Sequence, residues 1–232
     1  MSGLNKIALA AFAALFAGAA QGQESIGKPE PAGVGFQPAV TELARDLQWF
    51  DSILHWISLA IVLLVVGLLG YVVLKFGEKK NPTPSRTTHN SVLEVVWTGV
   101  PIVVLMVIGA ISLPILFKQL EVPTPDVTIK AIGNQWYWTY EYPDEEIVFD
   151  AIMLAKDELE EYGYADDEHL LATDTAVVVP VNSNVHVLVT GADVIHAWTI
   201  PSFGVKVDAI PGRLNDLWFN ADEIGTYFGQ CS

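Results

Sequence analysis

Ile57–Leu74 reads ISLAIVLLVVGLLGYVVL, 18 residues without a charge. A second stretch, Val95–Phe117, reads VVWTGVPIVVLMVIGAISLPILF, 23 residues that are equally free of charge. Each is long enough to cross a hydrocarbon core roughly 30 Å thick as a helix. Pro101 and Pro114 fall inside the second stretch, where a membrane helix tolerates a kink. One such run would fit the buried helix of a soluble protein, but two in tandem predict a membrane hairpin over residues 49–120.

Ahead of Glu94, the connection between the two runs carries Lys75, Lys79, Lys80 and Arg86 against one acid, Glu78. A basic loop marks the cytoplasmic side, so both flanks of the hairpin are expected outside. Upstream, Ile7–Ala20 is apolar and built of small residues behind a single Lys6. It is too short to span a bilayer. With small-residue cleavage sites at Ala17-Gly18-Ala19 and Ala20-Gln21-Gly22, it reads as a secretory signal peptide, residues 1–22. Residues 23–48 then form an exported arm, rich in Pro and Gly from Gly27 to Pro38.

Downstream of the hairpin the pattern changes to short β-type runs. Val127–Tyr142, Ala176–Val181, Val185–Thr190, Ala197–Ile200 and Leu217–Phe219 are rich in β-branched and aromatic residues. Pro180, Asn182-Ser183-Asn184, Pro201 and Pro211-Gly212 punctuate them. This spacing predicts a small all-β sandwich or barrel over residues 121–232. An acidic insertion lies between Asp144 and Asp174, with a helical piece expected at Leu154–Tyr162. From Glu121 onward there are twenty Asp and Glu against four Lys and Arg, whereas the rest of the chain is near neutral. An acidic half argues against nucleic acid as a partner and for a basic one, although acidity also simply keeps a domain soluble.

Five histidines are present, and His55, His89, His169 and His186 read as structural or solvated. His196 stands where a strand gives way to a loop, in Asp193-Val194-Ile195-His196-Ala197-Trp198. The only cysteine, Cys231, follows 35 residues later, which rules out an internal disulfide. A thiolate and an imidazole are donors that copper favours. Zinc accepts them too, and a catalytic Cys–His pair uses the same groups, so the residues alone leave the chemistry open.

Four ordered blocks narrow it. They are Gly133-Asn134-Gln135-Trp136-Tyr137-Trp138-Thr139-Tyr140-Glu141-Tyr142, Asp193 through Ser202, Val207-Asp208-Ala209-Ile210-Pro211-Gly212-Arg213-Leu214-Asn215, and Tyr227-Phe228-Gly229-Gln230-Cys231-Ser232. With the hairpin and its Glu94-Val95-Val96-Trp97-Thr98, they resemble subunit II of the haem-copper cytochrome c oxidases, in the bacterial aa3-type version. The resemblance runs from about Phe36 to Ser232. It implies a cupredoxin-like Greek-key domain outside the cytoplasm, on a two-helix transmembrane hairpin in the bacterial inner membrane.

The resemblance also implies a function. Cytochrome c gives an electron to the binuclear copper centre CuA, which passes it to haem in subunit I, where oxygen becomes water and protons are pumped. Subunit III completes the expected partners. Of the CuA ligands, His196 and Cys231 are in this sequence. The family motif runs on after the first Cys and Ser with a Glu, a Cys, a His and a Met, so the chain is expected to be cut within it. Trp136 would be where electrons enter, on one face of an extended strand with Trp138 and Tyr140. Glu94 would stand at the mouth of a proton-uptake path, although an acid also suits the start of a helix dipole. Glu141, Asp144, Glu145, Glu146 and Asp193 are the candidates for docking cytochrome c. Asp208 and Arg213 read as structural ionic groups. The competing readings are a quinol oxidase subunit II without copper and a membrane-tethered copper carrier. Both ligand residues weigh against the first, and Glu94 with the aromatic block against the second.

Overall fold

The computed structural model describes residues 25–231 except Pro84. The chain divides into two compact units, Arg45–Glu121 and the remainder. The signal peptide expected at residues 1–22 lies outside the described residues.

The first unit is helical. Helix α1 spans Glu42–Lys75 and helix α2 spans Ser91–Leu120. Both are long and apolar enough to cross a membrane, and their large apolar side chains are exposed, as expected where lipid takes the place of a core. Asn90 caps α2 by accepting the Leu93 N–H at 3.1 Å, and Glu94 lies in the first turn. At the other end of α2, Lys118 reaches Asp46 of α1 at 2.6 Å. Pro101 and Pro114 sit inside α2 without ending it.

The second unit is β-structure. Strand β1 is Ser25–Gly27, β2 Val127–Asn134, β3 Tyr137–Tyr142, β4 Ile147–Ala151 and β5 Val185–Gly191. Then come β6 His196–Ile200, β7 Val205–Ala209, β8 Asn215–Phe219 and β9 Thr226–Tyr227. The main sheet has the order β4-β3-β2-β5-β8, with β2 and β5 parallel at its centre and the other pairings antiparallel. The β6–β7 hairpin forms a second, smaller layer, and β1 pairs with β9.

Alternation explains which side of the main sheet is covered. In β2 and β5 every second residue is buried: Ile129 and Ala131, then Val185, Val187 and Val189. These pack with Trp198 and Val205 of the hairpin layer and with Phe203, Leu217 and Phe219. Each buried Val or Ile contributes about 2 kcal/mol relative to exposure. Val40 and Leu43 join the same core, where Thr41 accepts the Ala44 N–H at 2.9 Å and donates to the Phe203 carbonyl at 2.8 Å.

Three sequence expectations are corrected. Val127–Tyr142 is two strands joined by a tight turn, because Asn134 pairs with Tyr137 and leaves Gln135 and Trp136 outside the ladder. Ala176–Val181 is extended but forms no ladder. Val177 and Val179 pack on the core, the Tyr142 hydroxyl bonds both the N–H and the carbonyl of Val178 at 2.9 Å, and Pro180 has no N–H to give. Leu154–Tyr162 is a series of turns rather than a helix, closed on a small core of Leu154, Leu159 and Ala172 with Tyr164 beside it. The insertion also supplies β4, which its acidic composition concealed.

Candidate functional site

The β2–β3 turn and the β5–β6 loop meet at Asp193. One carboxylate oxygen, Oδ2, accepts the Gln135 N–H at 2.8 Å. The other, Oδ1, lies 2.7 Å from Nε2 of His196 and accepts the Val194 N–H at 2.6 Å. His196 first, then the Val194 amide, hold the Asp193 carboxyl down to about 2. Asp193 is therefore ionised at neutral pH and only accepts, which makes Nε2 of His196 the protonated nitrogen. A carboxylate on Nε2 is the arrangement in which a second group orients a metal-binding imidazole through its other ring nitrogen.

Packing fixes the ring further. The His196 side chain is 9% exposed. It meets the Trp138 ring edge-on at 5.9 Å and lies directly over Gly133. The Ala192 N–H donates to the Gly133 carbonyl at 2.9 Å, a second tie between loop and turn. Within the turn, Asn134 Nδ2 donates to the Ile132 carbonyl and to Thr139 Oγ1, both at 3.1 Å. Trp136, next to the pinned Gln135 amide, is 86% exposed. It stands on the turn, whereas Trp138 and Tyr140 point into the core, so the three do not share a strand face. Tyr140 accepts the Trp198 Nε1–H at 3.1 Å, and burial pushes its hydroxyl up to about 12.

Cys231 is an exposed free thiol. Its segment is tied to β6 through the Gln230 N–H, which donates to the Thr199 carbonyl at 3.3 Å, and to β1 through the Phe228 N–H, which donates to the Gly27 carbonyl at 3.3 Å. Among the described residues no three His, Cys, Asp or Glu side chains form a metal-binding cluster. The His196 imidazole and the Cys231 thiol are nevertheless donor types that a soft copper site takes, and on donor chemistry they fit as part of its ligand set.

The remaining acids are spread along β3. Glu141 is paired across the ladder with Lys130 at 3.0 Å. Asp144, Glu145 and Glu146 are exposed in the β3–β4 turn, at the opposite end of β3 from Trp136. Six strand residues separate the two turns, roughly 20 Å. Glu94 is exposed at the start of α2, where its carbonyl accepts the Thr98 hydroxyl at 2.9 Å. Residue-by-residue reading missed the roles of Gly133 and the Gln135 amide. The spacing of Asp193 and His196, three apart at a loop-to-strand junction, was the available signal for their pairing.

Fold and site define a β-domain on a chain with two membrane-length helices, with an imidazole–carboxylate pair tied to a turn that bears an exposed tryptophan. A family model described as cytochrome c oxidase subunit II, periplasmic domain, matches residues 127–232, and the transmembrane domain of the same subunit matches residues 29–115. Cytochrome c oxidase subunit 2 of Cereibacter sphaeroides is 54% identical over 232 residues, covering 93% of this chain and 77% of that protein. The probable cytochrome c oxidase subunit 2 of Rickettsia felis is 42% identical over 206 residues, covering 88% of this chain and 64% of that protein. The crystal structure of the periplasmic domain of subunit II of cytochrome oxidase of Bradyrhizobium japonicum shares 53% sequence identity, covers 48% of this chain and 75% of that one, and gives a TM-score of 0.42. The chain belongs to the cytochrome c oxidase subunit II family, a subunit of a membrane oxidoreductase complex, with a cupredoxin-like domain on a two-helix hairpin.

Proposed function

We propose that this chain is the electron-accepting subunit of its oxidase: it takes electrons from cytochrome c and passes them to haem in subunit I, in the bacterial inner membrane with the β-domain in the periplasm. The observation that carries the reading is the Asp193 carboxylate, which ties a His196 imidazole only 9% exposed to the turn that bears the exposed Trp136. His196 and Cys231 would hold copper as two of the CuA ligands. That group, when bound, supplies a one-electron centre whose thiolate ligands spread the charge.

The protein's own residues do the rest. Trp136 offers an aromatic surface to a docked haem protein. Asp193, Glu141, Asp144, Glu145 and Glu146 form an acidic rim along β3 and its turns. Their spread of roughly 20 Å fits inside the footprint of a standard interface, about 800 Å² per partner. Rim charges raise the association rate and make it salt-dependent. Glu94, at the cytoplasmic start of α2, serves proton uptake into subunit I. Subunit III completes the complex.

Stopped-flow reduction of the assembled oxidase tests this, with cytochrome c concentration varied at two ionic strengths. Trp136→Phe is expected to lower the saturating rate by more than about tenfold with the copper spectrum unchanged. Glu145→Gln is expected to raise the half-saturating concentration and flatten its salt dependence. A Trp136→Phe enzyme that changes only the half-saturating concentration would make Trp136 a docking or packing residue.

A further inference from the structure

We infer that Asp193 is a positioning residue: its carboxylate staples the Gln135–Trp136 turn to His196, so that the exposed indole and the metal-binding imidazole keep one fixed relative position. This rests on the reading of Trp136 and His196 given above.

The geometry assigns each oxygen a task. Oδ2 holds the turn through the Gln135 N–H at 2.8 Å. Oδ1 holds the imidazole through Nε2 at 2.7 Å and its own loop through the Val194 N–H at 2.6 Å. The turn and the imidazole come from separate parts of the chain, 58 residues apart at the Gln135–Asp193 bond. No strand ladder includes Gln135 or Trp136. The staple is therefore the bond that joins this turn directly to the group holding His196. A carboxylate that serves only to attract a basic protein keeps its oxygens toward solvent. Here three donors of the same protein converge on it, and the side chain is only 33% exposed.

The same geometry separates positioning from charge. Asp193→Glu keeps the negative charge but lengthens the side chain by one methylene, so both oxygens cannot reach the same two donors. Asp193→Asn keeps the shape but sets an NH₂ against a backbone donor, either the Gln135 N–H or the Val194 N–H. A docking role is sensitive to the second substitution and tolerant of the first, whereas a staple tolerates neither.

The test uses the full chain in its metal-free form, and then the assembled oxidase. In the metal-free protein Asp193→Glu is expected to speed hydrogen exchange at the Gln135 amide by about tenfold, the equivalent of one lost hydrogen bond, and Asp193→Asn to do so at whichever amide its NH₂ faces, Gln135 or Val194. The Val187 and Val189 amides, in the core, should stay protected and so report that each variant is folded. In the oxidase, Asp193→Glu should lower the saturating rate of electron uptake and leave the salt dependence of the half-saturating concentration unchanged. Native exchange at Gln135 in Asp193→Glu, with Asp193→Asn altering only the half-saturating concentration, would overturn the inference and leave Asp193 as a docking charge. If Gln135 exchange responds in Asp193→Glu but the saturating rate does not, the staple stands and the electron route through Trp136 falls.

Discussion

Gly133 lies against the imidazole of His196 so closely that a Cβ there would sit 2.8 Å from both Cγ and Cδ2 of the ring. Neither side has room to give. The His196 ring is held by Asp193 at 2.7 Å and edged by Trp138, and Gly133 is paired in the ladder with both Trp138 and Gly191. Gly133→Ala is therefore expected to destabilise the metal-free protein by about 1–3 kcal/mol through overpacking. It should also displace the imidazole. Gly35→Ala, at a position with nothing within 4 Å, should stay within about 0.5 kcal/mol. Denaturant unfolding of the two variants measures the difference, and histidine ring NMR reports the displacement.

Tyr140 and Trp198 predict an alkaline transition. Burial pushes the Tyr140 hydroxyl up to about 12 from an ordinary 10, against the hydrogen bond from Trp198, which opposes the shift. A raised acid binds its proton more tightly in the folded state. Its contribution, about 3 kcal/mol, is present below pH 10 and is lost as pH rises toward 12. Tyr140→Phe is expected to cost about 1–3 kcal/mol at pH 7, because Trp198 Nε1–H loses its acceptor. It should also flatten the decline above pH 10, in part only, since Tyr142, Tyr164 and Tyr227 are raised by burial as well. Stability measured from pH 7 to 11.5 in both proteins checks the sign.

The parts of this fold that were legible in sequence are those with a strong local period. Uncharged runs of 18 and 23 residues admit few readings, and the helices extend past both of them, Glu42–Lys75 and Ser91–Leu120. Val185–Thr190 became β5 because alternate valines face one core. Ala176–Val181 has the same composition, yet its backbone bonds run to the Tyr142 hydroxyl, a tertiary choice invisible to a window of six residues. The turn at Gln135–Trp136 carries no Gly or Pro, so nothing local announced it. The donor types at His196 and Cys231 were legible as residue types. The Asp193–His196 pairing was signalled by their spacing of three, but the Gly133 backbone under the ring and the Gln135 amide on the Asp193 carboxylate were not, because both come from a strand pair about 60 residues earlier in the chain.

Topology offers a third prediction. The basic loop Lys75 to Arg86 is expected on the cytoplasmic side and the acidic β-unit outside. A phosphatase fusion at Asp167 should be active and one at Asn81 inactive, with a cytoplasmic fluorescent reporter giving the reverse. A fluorescent Asp167 fusion would invert the assignment.

The arm predicts a dependence of the Cys231 segment on residues at the other end of the chain. Strand β1 pairs in parallel with β9, Ser25 with Thr226 and Gly27 with Tyr227. The Gly27 carbonyl accepts the Phe228 N–H, and the next tie, from the Gln230 N–H to the Thr199 carbonyl, carries the chain to Cys231. A Cβ on Gly27 would meet Ser202 Oγ at 2.7 Å and the Tyr227 ring at 2.9 Å. Ser202 is wholly buried and its hydroxyl donates to Gln37, so it cannot simply swing away. Beyond Gly27, Lys28 reaches Asp167 of the acidic insertion at 2.9 Å, and this contact is exposed and screened by salt. Gly27→Val is therefore expected to prise β1 from β9, at a cost of about 1–3 kcal/mol. Exchange at the Phe228 and Gln230 amides should rise by about tenfold or more, while Val187 and Val189 stay protected. Lys28→Ala removes only the outer contact, so its smaller effect should vanish at high salt. Exchange at Gln230 that ignores Gly27→Val would show that β6 alone holds the cysteine segment.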